Sequence, residues 1–169
     1  VQLDVNDSLD VDRLRERIKQ HGQGLDVLIN NAGYGAMGPV LDGGVAALQL
    51  QFETNVFSMV GMTQSLLEPL RSNRGLVVNI GSVSGVLVTP FAGAYCASKA
   101  AVHALSEAMR MELAPLGVRV MEVQPGAIDT HSAKNASACA EVLIAEDSPW
   151  WPMREGIRAR ATASQDNPT

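Results

Sequence analysis

The sequence predicts an open α/β fold, a parallel sheet with helices packed on both faces. Three observations point there. Short apolar runs at residues 25–29, 75–82 and 118–123 each end at a turn rich in asparagine, glycine or proline. Between them lie longer stretches in which apolar residues recur every three or four positions. Strands that alternate with helices in this way pair in parallel through right-handed crossovers.

The elements follow in chain order. Val1 to Val5 reads as the end of an apolar strand. Asp7 or Ser8 then caps a helix with Val11, Leu14 and Ile18 on one face and Gly22 past its end. Leu25 to Ile29 is a short apolar run between Gly24 and Asn30-Asn31-Ala32-Gly33, which suits a buried parallel strand. A glycine-rich stretch leads to a long helix from about Val45 to Leu70, with Leu48, Phe52, Val56, Met59 or Val60, and Leu66 or Leu67 at helical spacing. Pro69 and Gly75 mark its end. Gly75 to Ser82 is the next strand, and Ala94 to Leu113 is a helix striped by Val102, Leu105, Met109 and Leu113, closed by Pro115 and Gly117. Val118 to Val123 is a further strand, broken by Pro125-Gly126.

Composition bounds the function. At 169 residues and 46% hydrophobic content, one globular domain is expected. A net charge of −5 without single-sign runs argues against nucleic acid or a polybasic membrane surface and for a small-molecule partner. No apolar run approaches the roughly 18 residues of a membrane span, and no secretory leader opens the sequence, so the cytoplasm is the expected compartment. Cys96 and Cys139 lack metal-ligand spacing, and His21, His103 and His131 do not cluster with them, so no metal site is expected.

The chemistry centres on Tyr95 and Lys99, four residues apart on the 94–113 helix, with Ser82 thirteen positions before Tyr95 at a strand end. A spacing of four puts phenol and ammonium on one helix face. A fixed cation favours the phenolate and lowers a tyrosine pKa that is about 10 in water, which makes the phenol a usable acid and base near neutral pH. Ser82 would hydrogen-bond the oxygen whose charge changes as carbonyl and alcohol interconvert. The segments 30–33, 79–82 and 125–130 all fall at carboxyl ends of predicted strands, where parallel sheets bind ligands, so they should meet in one crevice.

With N-N-A-G at 30–33, a serine before Y-x-x-x-K, and P-G-x-x-x-T at 125–130, the chain resembles the short-chain dehydrogenase/reductase family. The resemblance implies a Rossmann-like doubly wound sheet, NAD or NADP as cofactor, and a catalytic set of Asn55, Ser82, Tyr95 and Lys99. Tyr95 would be the general acid/base, Ser82 would orient the substrate carbonyl, and Lys99 would bind the nicotinamide ribose and tune Tyr95. Asn55 would hold a relay water. It also implies cofactor contacts from Asp4, Asn30, Asn31, Ala32, Gly33, Pro125, Gly126, Ile128 and Thr130, besides Tyr95 and Lys99. Asn30 or Asn31 would tie neighbouring strand ends together. Ser84 misses the family's serine-to-tyrosine spacing, and His103 reads as a surface or interface residue.

Val86, Leu87, Val88, Phe91, Tyr34, Trp150, Trp151 and Met153 suggest an apolar substrate wall, with packing as the other reading of the tryptophan pair. Within the family the run 30–39 looks like the hydroxysteroid and acyl-dihydroxyacetone-phosphate reductase branch. The family's helices matching 45–70 and 94–113 form its usual dimer faces, implying a homodimer or homotetramer. The family's glycine-rich phosphate loop and first two strands have no counterpart in this sequence, nor does its last strand, so a piece of a longer oxidoreductase is expected. A non-catalytic oligomerising or binding module is the alternative.

Overall fold

The computed structural model describes residues 2–126 and 144–162. Helix α1 (Ser8–His21) starts where Asp7 accepts the Leu9 N–H, and it ends at Gly22, whose positive φ of 67° lets its N–H reach the Lys19 carbonyl. The segment before it differs from the sequence prediction. Residues 2–4 form no strand, because no neighbouring strand among the described residues takes up their N–H and C=O groups. Leu3 and Val5 instead pack against the main core beside Leu28.

Three strands form one parallel sheet in chain order: β1 (Val27–Asn30), β2 (Leu76–Ile80) and β3 (Arg119–Val123). The register pairs Leu28, Val77 and Val120 across the sheet; two residues on it aligns Asn30 with Asn79, and three on it aligns Ile80 with Val123. All three carboxyl ends therefore lie side by side. Leu28, Val77 and Val120 face a core built with Val11, Met62, Leu66, Leu70 and Met109 from the helices. Val27, Ile29 and Met121 alternate to the other face and are exposed.

The helical path begins at Val40, ahead of the predicted 45–70 span, and within that span it is interrupted twice. Helix α2 (Val40–Phe52) is kinked at Gly44, which has φ 56° and ψ −158°, so regular helix resumes at Val45. A single π turn, Glu53–Phe57, leads into α3 (Ser58–Ser65). Leu66 breaks the path before α4 (Leu67–Ser72). Pro69 causes that break: it has no N–H to give Ser65, and its ring opposes the Ser65 carbonyl, yet it is tolerated in the first turn of a new helix.

Helix α5 (Gly93–Leu113) matches its predicted span and crosses both β3 and the helices around Asn55. A short helix α6 (Arg154–Thr162) follows the 3₁₀ turn Trp151–Met153. Trp150 and Trp151 pack with Met37 and Phe91 on buried Ile144 and Ile157, while the Arg154 guanidinium lies 4.3 Å from the Trp151 ring centroid. The tryptophan pair thus forms a satellite core. No helix among the described residues is long and apolar enough to cross a membrane.

Leu70 is 0% exposed in the main core, whereas Leu41 is 79% exposed. Leu70→Ala is expected to cost about 3 kcal/mol through lost burial and the cavity left behind, and Leu41→Ala less than about 0.5 kcal/mol. Urea midpoints of the two variants check the difference; equal midpoints would refute this placement of the core.

Candidate active site

Lys99 is buried, 7% exposed, and its Nζ donates to the Ile80 carbonyl at 2.7 Å, joining the middle of α5 to the carboxyl end of β2. Burial pushes its ammonium below the ordinary lysine range, and the negative charge of Glu122 partly offsets that. The Nζ sits 5.9 Å from the centroid of the Tyr95 ring, one turn back on the same helix. The Tyr95 phenol makes no hydrogen bond among the described residues. Ser82 is buried at the strand end, where its Oγ accepts the Ser84 N–H at 3.1 Å and caps the 3₁₀ turn Val83–Gly85. Ser84 thus supports Ser82 through its backbone.

Asn55, on the π turn, reaches the same place from the opposite side. Its Oδ1 accepts the Tyr34 N–H at 3.0 Å, and its Nδ2 donates to the Tyr34 carbonyl at 2.9 Å and to Ser98 Oγ at 3.0 Å. Ser98 in turn donates to the Tyr95 carbonyl at 2.8 Å. Gln51, one turn earlier and fully buried, takes the Ala36 N–H and also donates to the Tyr34 carbonyl. Gly33 lies between these groups. A Cβ there would stand 3.1 Å from Asn55 Oδ1 and 3.8 Å from Lys99 Nζ, so glycine allows the backbone to approach both.

The strand ends are tied by side chains. Asn30 Nδ2 donates to Asn79 Oδ1 and Thr63 Oγ1, and Asn79 Nδ2 donates to Ser106 Oγ on α5. Of the two candidates for that tie, Asn30 performs it; Asn31 is exposed and lines a cavity of about 210 Å³ with Ala32 and Asn55. That cavity includes neither Ser82 nor Tyr95, so it adjoins the polar cluster without being its centre. Asp4 and Ala32 line a second, shallow hollow, and the Asp4 carboxylate accepts the Asn6 N–H at 2.9 Å in the approach to α1. Pro125 returns to the site by accepting the Val83 N–H at 3.2 Å, with Gly126 exposed beside it. Ile128 and Thr130 lie outside the described residues.

His103 is on the outer side of α5, half-exposed, with Nδ1 2.7 Å from Glu122 Oε2. The hydrogen bond to Glu122 and then its charge hold the imidazole above its usual range. Sequence reasoning missed Gln51, Ser98 and Glu122. The first had a signal, since Gln51 and Asn55 are polar residues four apart on an otherwise apolar helix stripe.

A parallel α/β sheet with a lysine, a tyrosine and a serine gathered at its carboxyl ends defines a Rossmann-like protein whose polar cluster lies where such folds bind ligands. The family model described as short chain dehydrogenase matches residues 1–140, and the chain belongs to that family. It is 40% identical over 130 residues to the short-chain dehydrogenase cctT of Talaromyces islandicus, covering 77% of this chain and 46% of that protein. It is 38% identical over 134 residues to the 3-ketodihydrosphingosine reductase of Bacteroides thetaiotaomicron, covering 79% and 50%. The chain thus spans about half the length of these curated relatives. Among solved structures, a short-chain dehydrogenase from Burkholderia cenocepacia in complex with NADP superposes with TM-score 0.72 at 30% identity, covering 99% of this chain and 66% of that one.

The buried lysine makes a prediction about pH. Below its depressed folded-state pKa, Lys99 is charged in both states and the fold bears the burial cost. Between that pKa and the ordinary value of 10.5 the unfolded chain binds the extra proton, so stability rises with pH in this window. Lys99→Met should lack that rise. Chemical unfolding of wild type and variant at pH 7 and pH 10 is the check, and parallel pH trends would contradict it.

Proposed function

We propose that the protein containing this chain is an NAD(P)-dependent oxidoreductase that interconverts a secondary alcohol and a ketone, with residues 1–169 forming part of a single oxidoreductase domain. The observation that carries this reading is a set of unspent donors at the strand ends. Lys99 donates one N–H to the Ile80 carbonyl, Ser82 uses its hydroxyl only as an acceptor, and the Tyr95 phenol is unbonded, all counted among the described residues. Buried or half-buried donors left over in this way fit a ligand with several oxygens.

The residues fit the nicotinamide–ribose half of a dinucleotide. Lys99 would hold the ribose hydroxyls, and Gly33 leaves the space that a Cβ would take. Asp4, Asn31 and Ala32 would receive the adenosine end, with Asn30 bracing the strand ends behind them. Pro125-Gly126, followed by Ile128 and Thr130, would meet the carboxamide. When bound, the cofactor supplies or accepts the hydride.

The chain's own part is proton transfer and positioning. Ser82 donates a hydrogen bond to the substrate oxygen, and Tyr95 protonates that oxygen as negative charge develops on it. The Lys99 charge favours the phenolate left on Tyr95. In the oxidising direction Tyr95 takes the alcohol proton. Asn55 commits both amide protons to Tyr34 and Ser98, so a relay water beside it would use the remaining lone pair on Oδ1.

A hydrophobic substrate, of the steroid or lipid kind implied by the hydroxysteroid and acyl-dihydroxyacetone-phosphate reductase branch, is supported by exposed Val86, Leu87 and Val88 directly after Ser82's turn. The relative named as a 3-ketodihydrosphingosine reductase supports the ketone. Exposed Leu50, Phe57 and Met111 on the 45–70 and 94–113 helices support a homodimer or homotetramer.

In the full-length protein, Tyr95→Phe is expected to lower kcat by about 10²- to 10⁴-fold, the range of general acid–base catalysis, with dinucleotide affinity nearly unchanged. Turnover measured by nicotinamide absorbance, beside a cofactor titration, tests this. Retained turnover in the variant would refute the role of Tyr95.

A further inference from the structure

Glu122 is a buried charge that the proposed chemistry leaves unused. It stands on β3 with its side chain 8% exposed. Its Oε2 accepts from Gln124 Nε2 at 3.1 Å and lies 2.7 Å from His103 Nδ1. Its Oε1 is buried and has no hydrogen-bond partner among the described residues. That oxygen rests against Gly81 so closely that a Cβ on residue 81 would overlap it. Gly81 stands between Ile80, whose carbonyl anchors Lys99, and Ser82. The orphan oxygen therefore adjoins the short stretch of chain that carries the site.

A carboxylate oxygen removed from water and given no donor is costly unless a cation offsets it. Lys99 is the buried cation on the neighbouring helix, and the two groups make no direct ion pair, so the coupling acts through space between two buried side chains. We infer that Glu122 is a positioning residue: its buried carboxylate keeps Lys99 in the ammonium form, and His103 anchors that carboxylate from the surface. The charge coupling stands on these residues alone, while its kinetic consequence rests on the role proposed for Lys99.

The other charged groups on the packed elements do not substitute for Glu122. Glu107 on α5 acts on His103 and pairs with Arg110. Asp42 on α2 accepts from Ser148, Glu53 on the π turn is exposed, and Arg119 lies on the opposite face of β3 by strand alternation. Neither β2 nor the 3₁₀ turn after it carries an ionisable side chain. The sign follows from the opposing effects on Lys99, in which burial lowers its pKa and Glu122 raises it. Neutralising Glu122 leaves burial unopposed, so Lys99 loses its proton at lower pH.

The test is a titration of the Lys99 ¹³Cε resonance in the full-length protein, in wild type, Glu122→Gln, Glu122→Met and Glu122→Asp. The two neutral variants are expected to lower the Lys99 midpoint by about half a pH unit or more, and Glu122→Asp, which keeps the charge, to restore most of it. The alkaline limb of kcat/KM should move down by the same amount. An unchanged Lys99 midpoint in whichever neutral variant unfolds thermally like wild type overturns the inference. A midpoint that moves while the kinetic limb stays fixed upholds the coupling and counts against the proposed role of Lys99.

Discussion

The site depends on keeping one ammonium group in the interior. A charged lysine out of water needs acceptors and a counter-charge placed beforehand, because the desolvation cost is otherwise several kcal/mol. The Ile80 carbonyl provides the acceptor, and Glu122 provides the charge. The surrounding backbone has to come close for this to work. Gly33 passes beside Lys99 Nζ, and a Cβ on Gly85 would sit 2.9 Å from the Lys99 carbonyl, so the turn after Ser82 lies directly on α5.

A second constraint comes from residues 31–39, which cross the site with no regular secondary structure. Their peptide groups still require partners. Gln51 and Asn55 supply them, each binding the Tyr34 carbonyl and each accepting one further N–H of the loop. Asn55 does this from a π turn, an irregularity often found at functional positions in helices. By also holding Ser98, it links the loop to the helix of Tyr95 and Lys99. A site held by spent amides on one side and unspent donors on the other is rigid where it is built and open where a ligand would bind.

Much of this was legible in the residues. The strands at 76–80 and 119–123 fall within the apolar runs that announce them, the strand at 27–30 overlaps its run and extends one residue past it to Asn30, and the helix ending at Leu113 keeps its predicted span. These are local signals of period and punctuation. The first predicted strand failed because pairing is a relation between segments, and apolar character in residues 1–5 does not provide a neighbour. The helix breaks at Leu66 and Gly44 had local causes in Pro69 and in glycine's freedom at positive φ, whereas the π turn had no sequence sign. Trp150 and Trp151 read equally well from sequence as a pocket wall or as packing, and only the tertiary structure shows their packing on Ile144 and Ile157.

The sequence by itself determined which groups the candidate site can draw on, because Ser82, Tyr95 and Lys99 bring their own side-chain chemistry and their spacing puts two of them on one helix face. Tertiary structure alone decided the electrical setting. Lys99 and Glu122 are 23 positions apart in the chain, and nothing in either neighbourhood says that they share an interior. Their interaction depends on distance and on the exclusion of water, and both arise only when β3 packs beside β2 beneath α5.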